Sequence, residues 1–202
     1  MPRAKPVALP SLVLTAALSL GLAACSSEPE TTTKTETVGD AIGADAAAGG
    51  MAADKTIADN IARSSIHTSL AAALTQAGLA QTLAGAGPFT LFAPTDAAFT
   101  QVPPVTRDEW MRPGQQSVLA GVLNYHVVPG KLTASDLSAQ IDAAGGQVTL
   151  KTSDGQELVA RKSGDSILLT SASGNKAIVT QADVEQANGI MHVIDAVLLP
   201  RM

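Results

Sequence analysis

The chain changes texture at residue 54, and that change confines where a fold can form. From Ser26 to Ala53 the sequence is mostly Ser, Thr, Glu, Ala and Gly, and its only large apolar residues are Val38, Ile42 and Met51. Such a segment cannot bury enough apolar surface to offset the entropy of ordering it. It reads as a disordered tether of residues 25–53 with a root-mean-square reach of about 30 Å. After Asp54 large apolar residues recur with regular spacing, and the 46% hydrophobic content of the whole chain suffices for one packed domain, residues 54–202.

Within that domain the spacing is helical first. Ile57, Ile61 and Ile66, then Leu70, Leu74, Leu79 and Leu83, predict short amphipathic helices with stops at Gly78 and Gly85. Phe89 to Phe92 reads as a strand, followed by a turn at Pro94-Thr95-Asp96 and a brief helix that Thr95 and Asp96 can cap. Gln115 to Leu123 reads as helix and Asn124 to Val128 as strand, closed by a turn at Pro129-Gly130. Two hairpins follow, one turning at Asp154-Gly155 and one at Gly174-Asn175. The last run, Ile190 to Leu199, is apolar except for His192 and Asp195 and reads as a long buried strand. Helices first and hairpins afterwards predict an α+β fold, with an antiparallel sheet system and helices packed to one side.

Composition then removes whole function classes. The five aromatic residues, Phe89, Phe92, Phe99, Trp110 and Tyr125, are too few for a stacking platform for single-stranded nucleic acid. A net charge of −5 gives no clustered cations for phosphate, so no nucleic-acid partner is expected. One cysteine, Cys25, can form neither a disulfide framework nor a multi-thiolate zinc site.

The lone cysteine has another use. Met1 to Lys5 carries Arg3 and Lys5, Val7 to Leu20 is uncharged and apolar, and the run ends in Leu22-Ala23-Ala24-Cys25. The apolar stretch, broken by Pro10 and Ser11, is short of the roughly 20 residues of a spanning helix and suits a secretory signal, residues 1–24. Its end resembles the bacterial lipobox, which implies acylation of Cys25 and attachment to a membrane through that residue. Ser26 after the cysteine resembles an outer-membrane address, facing the periplasm or the cell surface. Loss of Arg3 and Lys5 leaves 11 basic against 18 acidic residues, a net charge of −7.

Three stretches of the domain resemble the fasciclin (FAS1) family. Phe89-Thr90-Leu91-Phe92-Ala93-Pro94-Thr95-Asp96-Ala97-Ala98-Phe99 is similar to its first signature, Leu123-Asn124-Tyr125-His126-Val127-Val128-Pro129-Gly130 to its Tyr-His box, and Asn188-Gly189-Ile190-Met191-His192-Val193-Ile194-Asp195-Ala196-Val197-Leu198-Leu199-Pro200 to its second signature. The resemblance spans about Thr56 to Pro200 and implies a wedge of two β-sheets with a layer of short α-helices. It also implies adhesion or interaction with an envelope or matrix protein or polysaccharide. In animal members a Tyr-His box and an Asp-Ile pair are linked to receptor binding, and the matching positions, Tyr125, His126, Asp183 and Val184, are the candidate binding residues. Trp110 is the one aromatic residue outside the three motifs.

The residues themselves argue for structure more than chemistry. His126 and His192 with Asp96, Asp183 or Asp195 supply the residue types of a two-histidine, one-carboxylate metal site. Neither histidine lies at a spacing that gathers ligands, and a lone histidine in an apolar strand reads as a hydrogen-bonded core residue. If the Tyr-His box is a strand, Tyr125 and His126 point to opposite faces and only one enters the core. Gly85-Ala86-Gly87 lacks the third glycine of a dinucleotide loop, and no Gly-x-Ser-x-Gly elbow occurs. The expectation is a non-enzymatic envelope lipoprotein with no cofactor and no metal site. The alternative is a carrier of an apolar small molecule: abundant Ala, Leu and Val with few bulky aromatics suggest an apolar groove, and the resemblance to fasciclin-type proteins implies a ligand such as a carotenoid or lipid.

Overall fold

Lys176–Gln186 form one eleven-residue strand, β6, that serves two sheets in turn. The structure, a computed structural model, describes residues 50–201. The expected signal peptide, Cys25 and the expected tether as far as Gly49 lie outside the described residues. The strands are β1 (Phe89–Pro94), β2 (Val127–Pro129), β3 (Gln147–Lys151), β4 (Glu157–Ser163), β5 (Ser166–Thr170), β6 and β7 (Gly189–Ile194). Their order is β2-β1-β7-β6-β5-β4-β3. The first part of β6 pairs with β5 at 176–178, and the remainder pairs with β7 from Val179 to Gln186. Register shifts between Val179 and Gln181 and between Gln181 and Val184 bend the strand at the crossover, as bulges do. One side is therefore β2-β1-β7 with the end of β6, and the other is the meander of β3, β4, β5 and the start of β6. That is the wedge which the resemblance implied.

The two hairpins form where their turn residues predict, with Lys151 opposite Glu157 in β3/β4 and Thr170 opposite Lys176 in β5/β6. A third, at Gly164 between β4 and β5, joins Ser163 to Ser166. The sheet is mixed rather than wholly antiparallel, because β1 and β7 run parallel from Phe89/Gly189 to Pro94/Ile194. A parallel pair needs a long crossover, and residues 95–188 supply it. Close approach at the start of this pair demands glycine: a Cβ on Gly189 would lie 2.1 Å from the Phe89 carbonyl oxygen.

Seven helices occur among the described residues: α1 (Ile57–Arg63), α2 (Thr68–Gln76), α3 (Ala80–Ala84), α4 (Asp96–Thr100), α5 (Pro104–Trp110), α6 (Gln116–Tyr125) and α7 (Ala134–Ala143). The hydroxyl of Thr56 caps α1 by accepting the Asp59 N–H, and Ile57 and Ile61 enter the core. A first core lies between the helices and the β1/β7 layer, with Leu70, Leu74, Leu119, Leu123, Leu91 and Val193 among its members. A second fills the space between the two sheet halves with Phe92, Tyr125, Leu158, Leu169 and Ile194. Each such buried side chain stabilises the fold by about 1.5–3 kcal/mol.

Four expectations are corrected. Helix α6 continues through Tyr125 with His126 as its C-cap, so β2 begins only at Val127. Helix α7, which the strand-dominated reading of the C-terminal half omitted, is closed by a capping box of Thr133 and Asp136. It buries Leu137 and Ile141 in the second core, so the helices do not all pack to one side. Packed structure starts at Met51, three residues before the expected boundary. Met51 is buried, the Ala52 amide N–H donates to Asn60 Oδ1 at 3.0 Å, and the Lys55 carbonyl accepts the Ala187 N–H at 2.8 Å. One apolar side chain and a few paired amides are enough to hold a segment whose composition reads as tether. Finally, β7 ends at Ile194, short of the strand expected to reach Leu199. Asp195 ends it by turning back onto β6, its carboxylate accepting the Ile178 N–H at 2.7 Å.

Candidate functional site

The Tyr-His box sits at the end of a helix, which places both of its side chains inside. Tyr125 and His126 are each almost wholly buried, correcting the expectation that only one could enter the core. The Tyr125 hydroxyl donates to the Glu157 carbonyl at 2.7 Å and accepts the Ala172 N–H at 2.8 Å. One phenol thereby ties the helix to two strands' ends, and burial raises its pKa. His126 Nδ1 lies 2.7 Å from the Val122 carbonyl, and its Nε2 accepts the Leu198 N–H at 3.0 Å. The carbonyl requires a proton on Nδ1 and the amide requires a bare Nε2, so both contacts select one neutral tautomer. Burial pushes the His126 pKa down to about 4.

Asp183 and Val184 lie elsewhere, on the bent part of β6. Asp183 is exposed and has φ +58, the one non-glycine residue with positive φ among the described residues. Aspartate tolerates that left-handed conformation better than most residues. Its carboxylate accepts the Ala134 N–H at 2.8 Å, in the first turn of α7, and its own N–H donates to His192 Nδ1 at 3.3 Å. His192 is buried, donates from Nε2 to the Leu132 carbonyl at 2.8 Å, and stacks on Phe92 with ring centroids 5.5 Å apart. Burial lowers its pKa as well. Val184 is half-buried against the first core, opposite Met191. The four candidate residues thus do not converge on one surface: two are interior, one packs, and only Asp183 is exposed.

A third histidine escaped the sequence reading. His67 is buried, with Nδ1 2.9 Å from the Ser64 hydroxyl and Nε2 without a hydrogen-bond partner. Its pKa is lowered to about 4, burial outweighing the attraction of the nearby Asp96 carboxylate. Ser64, His67 and Asp96 have the residue types of a hydrolytic triad but not its arrangement. Asp96 spends its carboxylate on α2, accepting the Ser69 N–H at 2.7 Å, the Thr68 N–H at 3.1 Å and the Thr68 hydroxyl at 2.8 Å. The serine stands on the nitrogen that a triad reserves for its carboxylate, and it is itself buried. Asp96 therefore caps α2, while Thr95 alone caps α4 by accepting the Ala98 N–H at 3.2 Å. The hydrogen bonds to Asp96 hold its carboxyl below the usual aspartate range despite the cost of desolvation. Among the described residues no three His, Cys, Asp or Glu side chains are grouped as metal ligands would be.

Asn188 is the other residue whose role the sequence understated. Read as a turn former, it is a junction: its Oδ1 accepts the Ile57 N–H at 2.9 Å, and its Nδ2 donates to the carbonyls of Leu83 and Gly85 at 2.7 and 2.8 Å. It binds α1 and the end of α3 to the start of β7.

Comparison with known sequences and structures agrees with this architecture. The Fasciclin domain family model matches residues 65–200. The protein sll1483 of Synechocystis sp. is 38% identical over 149 residues, covering 73% of this chain and 74% of that one. The transforming growth factor-beta-induced protein ig-h3 of Sus scrofa is 32% identical over 145 residues, 72% of this chain and 19% of that protein. Immunogenic protein MPB70 of Mycobacterium bovis is 33% identical, with 66% and 63% covered. Among solved structures, the FAS1 domain pair of the insect cell adhesion molecule Fasciclin I superposes with TM-score 0.65 at 21% identity, covering 72% of this chain and 51% of that one.

Proposed function

The chain belongs to the fasciclin domain family, and from that premise we propose that it is a non-enzymatic lipoprotein of the cell envelope that presents one fasciclin domain for adhesion. Most polar side chains of the three motifs are consumed by the fold. Thr90 braces Gly130 and Leu132, Tyr125 and His126 bond the backbone of three other segments, Asn188 joins α1 to β7, and His192 holds Leu132. A domain whose motif residues are spent internally offers a rigid surface rather than a reactive centre. The solved relative named as a cell adhesion molecule supports the same reading.

Attachment to an outer-membrane leaflet is assigned to acylated Cys25. The partner is a protein or polysaccharide of the envelope or matrix. Two measurements test this. Cells should incorporate labelled palmitate into the full-length protein, and Cys25→Ser should release it from the membrane fraction. Strains displaying the protein should adhere more strongly to envelope or matrix material than a deletion strain. Equal adhesion by the two strains would refute the adhesive role, and an unlabelled but membrane-bound protein would refute the anchor.

A further inference from the structure

Trp110, the aromatic residue outside the family motifs, forms one wall of a pocket among α2, α4, α5 and α6. The cavity measures about 240 Å³, and Ala73, Phe99, Met111 and Leu119 complete its apolar lining. On α2, Ala73 is buried beneath the pocket and Ala72, which also lines it, is exposed. At about 30 Å³ per water, the space equals roughly eight waters. That is below the range of about 300–1,000 Å³ common for drug-sized ligands. It suits a flexible chain of about eight to ten carbons and not a long polyene. Met111, at the mouth, is 41% exposed.

Arg107 also lines the pocket, half-buried. Its guanidinium donates to the Phe99 carbonyl over a long 3.4 Å, and no carboxylate pairs with it among the described residues. A partly desolvated guanidinium with no anion retains unused, strongly directional donors. Asp108 stands at the same pocket and opposes an incoming anion.

We propose that this pocket is a binding site for medium-chain monocarboxylates, the alkyl chain against Trp110, Phe99 and Leu119 and the carboxylate on Arg107. This site does not rest on the adhesive reading, so the two proposals fail separately. Each methylene added to a chain that still fits strengthens binding about fourfold. Beyond the filled length the gain stops.

Trp110 is the chain's only tryptophan, so its emission reports the pocket directly. The experiment is a fluorescence titration of the full-length protein with octanoate, decanoate and decanol, each below its micelle or solubility limit. The expected result is a saturable, one-site change in emission, with decanoate binding more tightly than octanoate. Arg107→Gln should weaken decanoate at least tenfold while moving decanol less than twofold. Asp108→Asn should tighten decanoate and leave decanol alone. A non-saturable response, or equal loss of acid and alcohol in a folded Arg107→Gln, would overturn the proposal. If Arg107→Gln does not fold, Asp108→Asn decides: Asp108 is exposed at the same pocket, and decanoate affinity left unchanged in that variant equally refutes the site.

Discussion

His126 Nε2 accepts the backbone N–H of Leu198 at 3.0 Å, joining the end of α6 to the segment after β7 across 72 residues of sequence. The contact is buried, so its loss strands an amide with no water to replace the imidazole. His126→Ala should lower stability by about 2–4 kcal/mol, combining an unsatisfied N–H with a cavity. Urea denaturation measures it: the midpoint falls and the far-ultraviolet spectrum of the folded protein is unchanged.

Acid should weaken the domain in two separable steps. His67 and His126 are both held to about 4 by burial, and His192 is lowered by the same cause. Between about pH 6.5 and 4 the unfolded chain takes up protons on His67 and His126 that the folded chain refuses, and His192 acts in the same direction. Stability therefore falls as pH drops through that window, by up to about 1.4 kcal/mol per pH unit per histidine. Asp96, Asp136 and Glu185 have lowered values, so their contribution is present above their unfolded values of 3.8–4.5 and is lost only as pH falls below them. Thermal melts from pH 8 to 3 should show the first decline near pH 6.5, and His126→Asn should make it shallower.

Asp183 separates a structural role from a contact role. Asp183→Asn keeps an acceptor for the Ala134 N–H and tolerates φ +58, so stability should change by less than about 0.5 kcal/mol. Asp183→Ala loses the cap and strains the backbone, at a cost of about 1–2 kcal/mol. If the carboxylate touches an adhesive partner, Asp183→Asn reduces adhesion with the melting temperature intact; if it only braces α7, adhesion is unchanged.

Two glycine substitutions should act in opposite directions. Gly189→Ala places a Cβ 2.1 Å from the Phe89 carbonyl oxygen, a clash with backbone that only separation of β1 from β7 relieves. The variant should be recovered unfolded or in inclusion bodies. Gly121, inside α6, has nothing within 4 Å of its would-be Cβ. Gly121→Ala should raise stability by about 0.5–1 kcal/mol, read as an increase of a few degrees in melting temperature.

Much of the site could not be read from sequence because its hydrogen bonds are not local. Tyr125 and His126 looked like strand residues next to Val127-Val128, and the packing of α6 against the first core extended the helix over Tyr125. Helix α7 did leave a signal: Thr133 and Asp136 at capping-box spacing, then Leu137 and Ile141 four apart. His67 left none, since its burial comes from Ser64 on one side and the layer containing Ala93 and Asp96 on the other.

What the sequence determined by itself was set by neighbours in the chain. Thr95 marks a helix start, Asp154-Gly155 and Gly174-Asn175 mark hairpins, and three motifs in order identify the family. Those features follow from local dihedral preferences and side chain-to-backbone bonds a few residues long. The tertiary structure decided the parallel pairing of 89–94 with 189–194, the bend that places Asp183 over α7, and the contact of His126 Nε2 with the Leu198 N–H. Each depends on a partner dozens of residues away, whose position is fixed only when both cores close and every buried donor must find its acceptor.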